Sequence, residues 1–153
     1  MEKLSTLVNH FNELWPESEV AEWDRSGLMI GNLSSEIQTV FLTVDVTMNV
    51  LMHAKDSGAN LVLSHHPMFL RGAHTLREDL AKGAEAAFAI KNDLAVFSAH
   101  TNADFVSNGV SQTLAKALGL GSLDFLDPDT KQGVIGNLGK TTTLLEFARA
   151  AAR

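Results

Sequence analysis

Apolar side chains recur at helical spacing at the start of the chain. Within residues 3–15 they fall three or four positions apart, and Pro16 ends the pattern. Because proline cannot continue a helix, an amphipathic opening helix is expected over these residues. Residues 19–31 are punctuated by glycine and end in a short apolar run that indicates a strand.

Residues 38–46 are rich in β-branched and aromatic side chains and predict a buried strand. The next stretch, residues 47–57, switches to helical spacing and is closed by Gly58. A second short apolar run follows at residues 60–63. A strand, a helix and a strand in this order predict the crossover unit of a parallel sheet.

The pattern beyond this unit adds two helices and one strand. An alanine-rich helix is expected over residues 78–92, a buried strand over 94–99 and a helix over 108–118. Helices that alternate with buried strands are typical of the α/β class. We therefore expect a single α/β domain over residues 1–153, with a mostly parallel or mixed sheet flanked by helices on both faces.

The C-terminal stretch predicts less regular structure. Residues 119–132 contain Gly, Asp and Pro and indicate a loop, and turn signals follow at Gly136 and Gly139. A short helix is expected from about Leu144, and Thr-Leu-Leu-Glu at residues 143–146 predicts a capping box at its start.

Gly-Lys-Thr at residues 139–141 is the ending of a phosphate-binding loop, but its spacing fails. That motif requires glycine six positions before the lysine, and Val134 occupies this position before Lys140. The capping box is therefore the preferred interpretation of this region.

Composition narrows the classes of function. The chain has no cysteine, which excludes zinc-thiolate sites, iron–sulfur clusters and thiol catalysis, so any metal must be held by imidazole and carboxylate. A net charge of −6, with basic residues scattered along the chain, disfavours nucleic acid as a partner. No apolar run approaches about 18 residues and the N-terminus lacks the pattern of a signal peptide. We expect a cytoplasmic protein with no membrane partner.

Two polar clusters follow predicted strands. His65 and His66 come directly after the run at 60–63, and residues 100–104 come directly after the strand at 94–99. Ligands of α/β sheets bind at the carboxyl edge of the strands, where both clusters are expected to lie. Imidazole and carboxylate at one edge predict a divalent metal site with His65, His66 and Asp104 as ligands.

The neighbouring histidines favour two ions over one. Adjacent side chains of an extended segment point to opposite sides, so we expect each imidazole to bind its own ion and Asp104 to bridge the pair. Ser64 and His100 are expected to orient the ligands. Two other interpretations stay open: the histidine pair as a surface or capping feature, and Asp104 as a turn or helix N-cap residue.

These stretches resemble the YbgI-type dinuclear-metal-centre proteins, also called Ngg-one-interacting-factor-three-like proteins and type 2 GTP cyclohydrolase homologues. Leu-Ser-His-His-Pro-Met-Phe at 63–69 is similar to the family's His-His-Pro motif, and His-Thr-Asn-Ala-Asp at 100–104 to its His-Thr-Asn-x-Asp motif. Residues 23–31 resemble its Trp-Asp-Asn-x-Gly-Leu segment, with Arg25 in place of the usual Asn, and Asp45 also fits. The similarity covers nearly all of the chain.

The resemblance implies two divalent metal ions bound by His65, His66 and Asp104, with His100 as an orienting residue or proton shuttle. Histidine and carboxylate ligands suit Zn, Mn, Fe or Ni alike. It also implies a metal-dependent hydrolase of the GTP cyclohydrolase type 2-like kind, which acts on an unidentified small molecule and assembles as a homo-oligomer. The alternative function is a non-catalytic metal-binding oligomeric scaffold or a regulatory module that binds partners.

By this resemblance, the chain is expected to correspond to the N-terminal half of such a protein. In the family, a second half supplies a helix with His-x-x-x-Glu, whose side chains complete the metal site, and no such pair follows residue 104 here. Two explanations stay open. The chain is a fragment or natural half-protein with weakened or lost metal affinity, or another subunit or water supplies the missing ligands.

Overall fold

The computed structural model of the protein describes residues 1–152, which group into two compact units. The first unit ends at Asn102 and the second begins at Ala103. That the whole chain behaves as one α/β domain stays a prediction. Within the described residues, no helix combines the length and the apolar character that crossing a membrane would require.

The first unit alternates short strands with helices, as the sequence predicted. In chain order its elements are β1 (Glu2–Lys3), α1 (Leu4–Leu14), a 3-10 turn (Glu17–Glu19), β2 (Gly27–Ile30), β3 (Glu36–Ile37), β4 (Val40–Thr43), α2 (Met48–Asp56), β5 (Leu61–Ser64), α3 (Ala81–Lys91), β6 (Ala95–Ser98) and the start of α4 (Thr101–Phe105).

Four of these strands form one mixed sheet, in the spatial order β2, β6, β5, β4. β5 pairs in parallel with both β4 and β6, and β2 pairs antiparallel with β6. β1 and β3 form a separate antiparallel pair. The predicted α/β class, with a sheet that is parallel or mixed, is confirmed.

Helices cover both faces of this sheet because successive strand residues point to opposite faces. Val96 packs in a buried cluster with Leu51 of α2 and Ala89 of α3. The next residue, Phe97, faces the other layer, where its ring centroid lies 4.9 Å from that of Phe11 on α1. The prediction of helices on both faces is therefore confirmed for the first unit.

The strand predicted to be buried over residues 38–46 lies at the sheet edge instead. Among the described strands β4 pairs only with β5, and its residues alternate between exposed and half-buried. Val40, Leu42 and Val44 are 39%, 71% and 56% exposed. The prediction was wrong about burial because a composition rich in β-branched residues indicates a strand but does not distinguish an edge strand from a central one.

The second unit contains a hairpin that the sequence pattern missed. Its further elements are α5 (Val110–Ala117), β7 (Leu120–Phe125), β8 (Val134–Leu138) and α6 (Leu144–Ala151). β7 and β8 pair antiparallel, so the loop predicted over residues 119–132 is wrong for residues 120–125, which form β7, and is confirmed for residues 126–132, which connect the two strands. The register shifts between Gly121 and Asp124, and Ser122 has a positive φ of 51°. This irregularity interrupts the alternation by which a strand is recognised.

The predicted capping box is confirmed at the start of α6. Thr143 accepts a hydrogen bond from the backbone N–H of Glu146, whose carboxylate accepts from the N–H and hydroxyl of Thr143. The backbone hydrogen bond from Thr143 and then its hydroxyl lower the pKa of Glu146 below its ordinary value. Because the folded-state pKa is the lower one, capping is fully present above the unfolded-state pKa and is lost as pH falls through the folded value.

We therefore expect the Thr143 amide proton to shift in an acid titration followed by NMR, with a midpoint below the ordinary pKa of glutamate. Glu146→Gln keeps an acceptor oxygen that does not titrate, so its Thr143 amide should not show this transition. A midpoint at or above the ordinary value in the unaltered protein would contradict the capping interaction.

Candidate metal centre

Three parallel strands end in register at one edge of the sheet. The residues paired across this edge are Thr43, Ser64 and Ser98. Two positions beyond each of them the chain carries Asp45, His66 and His100. Pairing continues past the strands, since His66 donates its N–H to the carbonyl of Val44 at 2.8 Å. The register of the sheet thus brings these side chains to one edge.

The backbone bends at His65 and His66 instead of remaining extended. Ser64 supports the bend, because its hydroxyl donates to the His66 carbonyl at 2.9 Å. The two imidazole rings lie side by side, with centroids 5.2 Å apart. The prediction that they point to opposite sides is wrong, since that alternation holds only for an extended segment.

The ring of His100 completes a cluster with this pair. Its centroid lies 5.1 Å from that of His65 and 5.5 Å from that of His66. One ring nitrogen of each residue lies within 4.8 Å of those of the other two. These three residues are called the histidine cluster below. The sequence predicted His65 and His66 as ligands and His100 as an orienting residue or proton shuttle.

An oxygen acceptor faces Nδ1 of each histidine of the pair. Nδ1 of His66 lies 2.7 Å from Oδ1 of Asp45, and Nδ1 of His65 lies 3.0 Å from the carbonyl oxygen of Ala99. A carbonyl or carboxylate oxygen only accepts, so Nδ1 carries the proton in the neutral ring and Nε2 carries the lone pair. Holding Nδ1–H in this way is typical of histidines that bind metal through Nε2.

The third histidine is held by a buried carboxylate. Asp24 is 1% exposed and accepts from Nδ1 of His100 at 2.8 Å, from the N–H of Thr101 at 3.1 Å and from the Thr101 hydroxyl. The N–H of Arg25 donates to the same carboxylate at 2.6 Å. Burial raises the pKa of Asp24, but these hydrogen bonds outweigh it and hold the pKa below its ordinary value. Asp24 is therefore an anion at neutral pH.

Asp24 was not among the site residues predicted from the sequence. The residue stands 76 positions before His100, and only packing between their segments makes them neighbours. The available signal was Trp-Asp at the start of residues 23–31, one of the motifs that carried the family resemblance. Trp23 is 59% exposed, and its ring meets that of His100 edge to face at 6.0 Å.

The remaining predicted ligand, Asp104, belongs to the second unit. It is half-buried and occupies the fourth position of α4. Its role as a bridge between two ions stays a prediction.

The donor set of the first unit fits a divalent cation. The three imidazoles could supply nitrogen ligands, and the carboxylates of Asp45 and Asp24 contact Nδ1 of His66 and His100. Imidazole nitrogen ligands suit Zn, Ni and Fe. Two anions behind the rings also offset the charge that a cation brings.

These features define a mixed α/β protein with a histidine cluster at the carboxyl edge of its sheet. The model of the Duf34/NIF3 (NGG1p interacting factor 3) family matches residues 2–153, and the chain belongs to this family. The resemblance inferred from the motifs is confirmed.

Curated relatives carry the name GTP cyclohydrolase 1 type 2 homolog. The protein of this name from Streptomyces coelicolor is 35% identical over 158 residues, covering 100% of this chain and 55% of the relative. That of Halalkalibacterium halodurans is 39% identical over 129 residues, covering 84% of this chain and 35% of the relative. The chain thus spans between about a third and just over half of these relatives' lengths.

Solved structures of other proteins share this fold. Reduced HcgD from Methanocaldococcus jannaschii superposes with a TM-score of 0.87 at 25% identity, covering 97% of this chain and 58% of that one. A Bacillus cereus protein related to NIF3 superposes with a TM-score of 0.78 at 34% identity, covering 83% of this chain and 35% of that one.

Proposed function

We propose that this chain carries the N-terminal part of the metal site of a metal-dependent hydrolase. In this proposal His65 and His66 are ligands of about two divalent ions and Asp104 bridges the ions. The observation that carries the proposal is the histidine cluster, in which Nδ1 of every ring meets an oxygen acceptor. Side chains oriented in this way are prepared to offer Nε2 to a cation.

In this proposal some residues of the site bind the metal and others orient the ligand side chains. When bound, a divalent metal polarises a substrate oxygen and lowers the pKa of a bound water towards neutrality. Asp45 and the Ala99 carbonyl hold the protons on Nδ1 of the two ligand rings. His100, whose Nδ1 proton is held by Asp24, is the predicted orienting residue.

The exposed indole of Trp23 favours a substrate with a flat ring. It stands at the histidine cluster with more than half of its surface in solvent, and aromatic side chains bind planar heterocycles by stacking. The name of the curated relatives makes GTP the first substrate to test.

The test is metal content together with turnover. Protein purified without chelator is expected to contain about two divalent ions per chain by elemental analysis. Chelator-stripped protein should lose GTP turnover, followed by chromatography, and regain it when Zn or Mn is restored. Fewer than one ion per chain, or turnover that survives removal of the metal, would count against the proposal.

A second candidate function, a homo-oligomeric scaffold, is favoured by the sheet edge at β4. Val40, Leu42 and Val44 expose apolar side chains along an edge strand whose outer side has no partner strand among the described residues. Such an unpaired edge strand can pair with the same strand of a second copy of the chain across a two-fold axis.

Leu42→Lys is expected to shift the protein towards the monomer in light scattering coupled to size exclusion, because a charge on each copy opposes the pairing. Leu126→Lys is the control, since Leu126 is exposed to a similar degree, 66% against 71%, and lies outside this edge. A protein that is monomeric before substitution, or an oligomer that ignores Leu42→Lys, would argue against the scaffold.

A further inference from the structure

We infer that a second binding site lies at the amino edge of the four-stranded sheet and takes a small organic amine, a molecule with an apolar body and a protonated amino group. β5 and β6 start at this edge, so the site lies at the opposite end of these strands from the histidine cluster. The residues that carry the inference all belong to the first unit. It goes beyond the proposed function and depends on no metal ion.

A cavity of about 380 Å³ lies at this edge. Its apolar wall comes from β2, from β3 and from the segment between α3 and β6, and includes Met29, Ile37 and Leu94. Sites for small molecules have volumes of about 300–1,000 Å³ and are lined mostly by apolar side chains. The cavity therefore has the size and the lining of a site for a small molecule.

Two asparagines of the cavity wall are held by hydrogen bonds. The side chain of Asn60 accepts from two backbone N–H groups at 3.0 and 3.3 Å and donates to a carbonyl at 2.8 Å, all within residues 36–39. The side chain of Asn32 accepts from the N–H of Ser34 at 3.0 Å and from its hydroxyl at 2.9 Å. These bonds order the wall before a ligand binds, which lowers the entropic cost of binding.

Asp93 is the charged residue of the lining, and it occupies a position that does not favour it. It follows Asn92, the C-cap of α3, and has a φ of 52°. The N–H groups of Asp93 and of the next residue donate to carbonyls in the last turn of the helix. Glycine is the usual residue at this position because it adopts the left-handed region without strain. A carboxylate there also meets the negative end of the helix dipole.

The charge of Asp93 makes the cavity suited to a cation. The residue is exposed, and among residues 1–152 its carboxylate has no hydrogen-bond or ion-pair partner. An amine whose apolar part packs against the wall brings its charge next to this carboxylate. Because an exposed ion pair contributes little, the apolar wall supplies most of the affinity and Asp93 supplies a preference for the cation of several-fold.

The experiment compares 2-phenylethylamine, which is protonated at pH 7, with its neutral counterpart 2-phenylethanol in NMR titrations of the full chain. Both should shift the methyl signals of Ile37 and Leu94, which line the cavity. The amine should bind about three to five times more tightly than the alcohol. In Asp93→Asn this ratio should fall to about one, because asparagine has the same size and tolerates the left-handed region but carries no charge. Asp56→Asn is the matched control, since Asp56 is an exposed acid at the end of α2 and outside the cavity lining.

The stability of a second variant gives an independent measurement. Asp93→Gly should raise the melting temperature by about 2–4 °C, because glycine suits the position, while it also removes the preference for the amine. A residue that serves only to end the helix would leave the ratio of the two affinities unchanged when it is replaced.

No binding of the amine, equal binding of the amine and the alcohol, or a preference that survives in Asp93→Asn would each overturn the inference. A fall in the melting temperature of Asp93→Gly would overturn it as well. So would binding that disappears as the protein concentration rises, which would mean that a second copy of the chain covers the cavity. None of these outcomes affects the proposed metal site, which lies at the other edge of the sheet.

Discussion

Replacing Asp24 with alanine is expected to lower the free energy of unfolding by about 3–5 kcal/mol, the usual effect of removing one partner from a buried, hydrogen-bonded charge. The carboxylate accepts from His100, Arg25 and twice from Thr101. Alanine offers none of these donors a partner, and Thr101 is itself buried. In a chain of this size each kcal/mol corresponds to about 2–4 °C, so the melting temperature should fall by about 6–20 °C.

Urea denaturation followed by circular dichroism measures this change. Asp56→Ala is the control, because Asp56 is exposed at the end of α2 and its loss should stay within about 0.5 kcal/mol. The stability loss for Asp24→Asn should lie between those of Asp24→Ala and Asp56→Ala. The asparagine amide keeps one acceptor oxygen, but it places an NH₂ donor at the position of the second carboxylate oxygen. A loss below about 1 kcal/mol for Asp24→Ala would mean that this carboxylate does not organise the site.

Replacing His66 with alanine is expected to have the opposite profile, with little effect on stability and a large effect on function. The side chain is 49% exposed, and its polar contact is with an exposed carboxylate, so the free energy of unfolding should change by less than about 0.5 kcal/mol. Metal affinity, and with it any GTP turnover, should fall by more than about a hundredfold, because His66 is a proposed metal ligand and not a residue that orients a ligand.

Competition against a chromophoric chelator measures the affinity directly. Asp45→Asn should produce a smaller loss of about 10–100-fold, since it weakens the support of the His66 ring but leaves its Nε2 in place. His10→Ala, which removes an exposed imidazole paired with Glu13, serves as the control for removal of an imidazole. Turnover and affinity within threefold of the unaltered protein in His66→Ala would remove His66 from the metal site.

Most elements of the first unit were predictable because their signals are local. The apolar spacing that ends at Pro16 and the helix closed by Gly58, whose φ is 80°, each lie within a few residues of the element they define. The strand, helix and strand order predicted the parallel pairing of β4 with β5, which the structure contains. The hairpin of β7 and β8 was not predicted because Gly121 and Gly136 interrupt the apolar alternation in strands that contain no fully buried residue.

Local sequence patterns are enough to predict the α/β class, the family and the placement of His65, His66 and His100 after strand ends, because each depends on residues that are close along the chain. Three further features follow from tertiary contacts alone: β4 lies at an edge, the bend at His65 and His66 places their rings side by side, and Asp24 holds the ring of His100. Contacts of this kind depend on sheet register and on packing between segments far apart in sequence, and no local pattern encodes them.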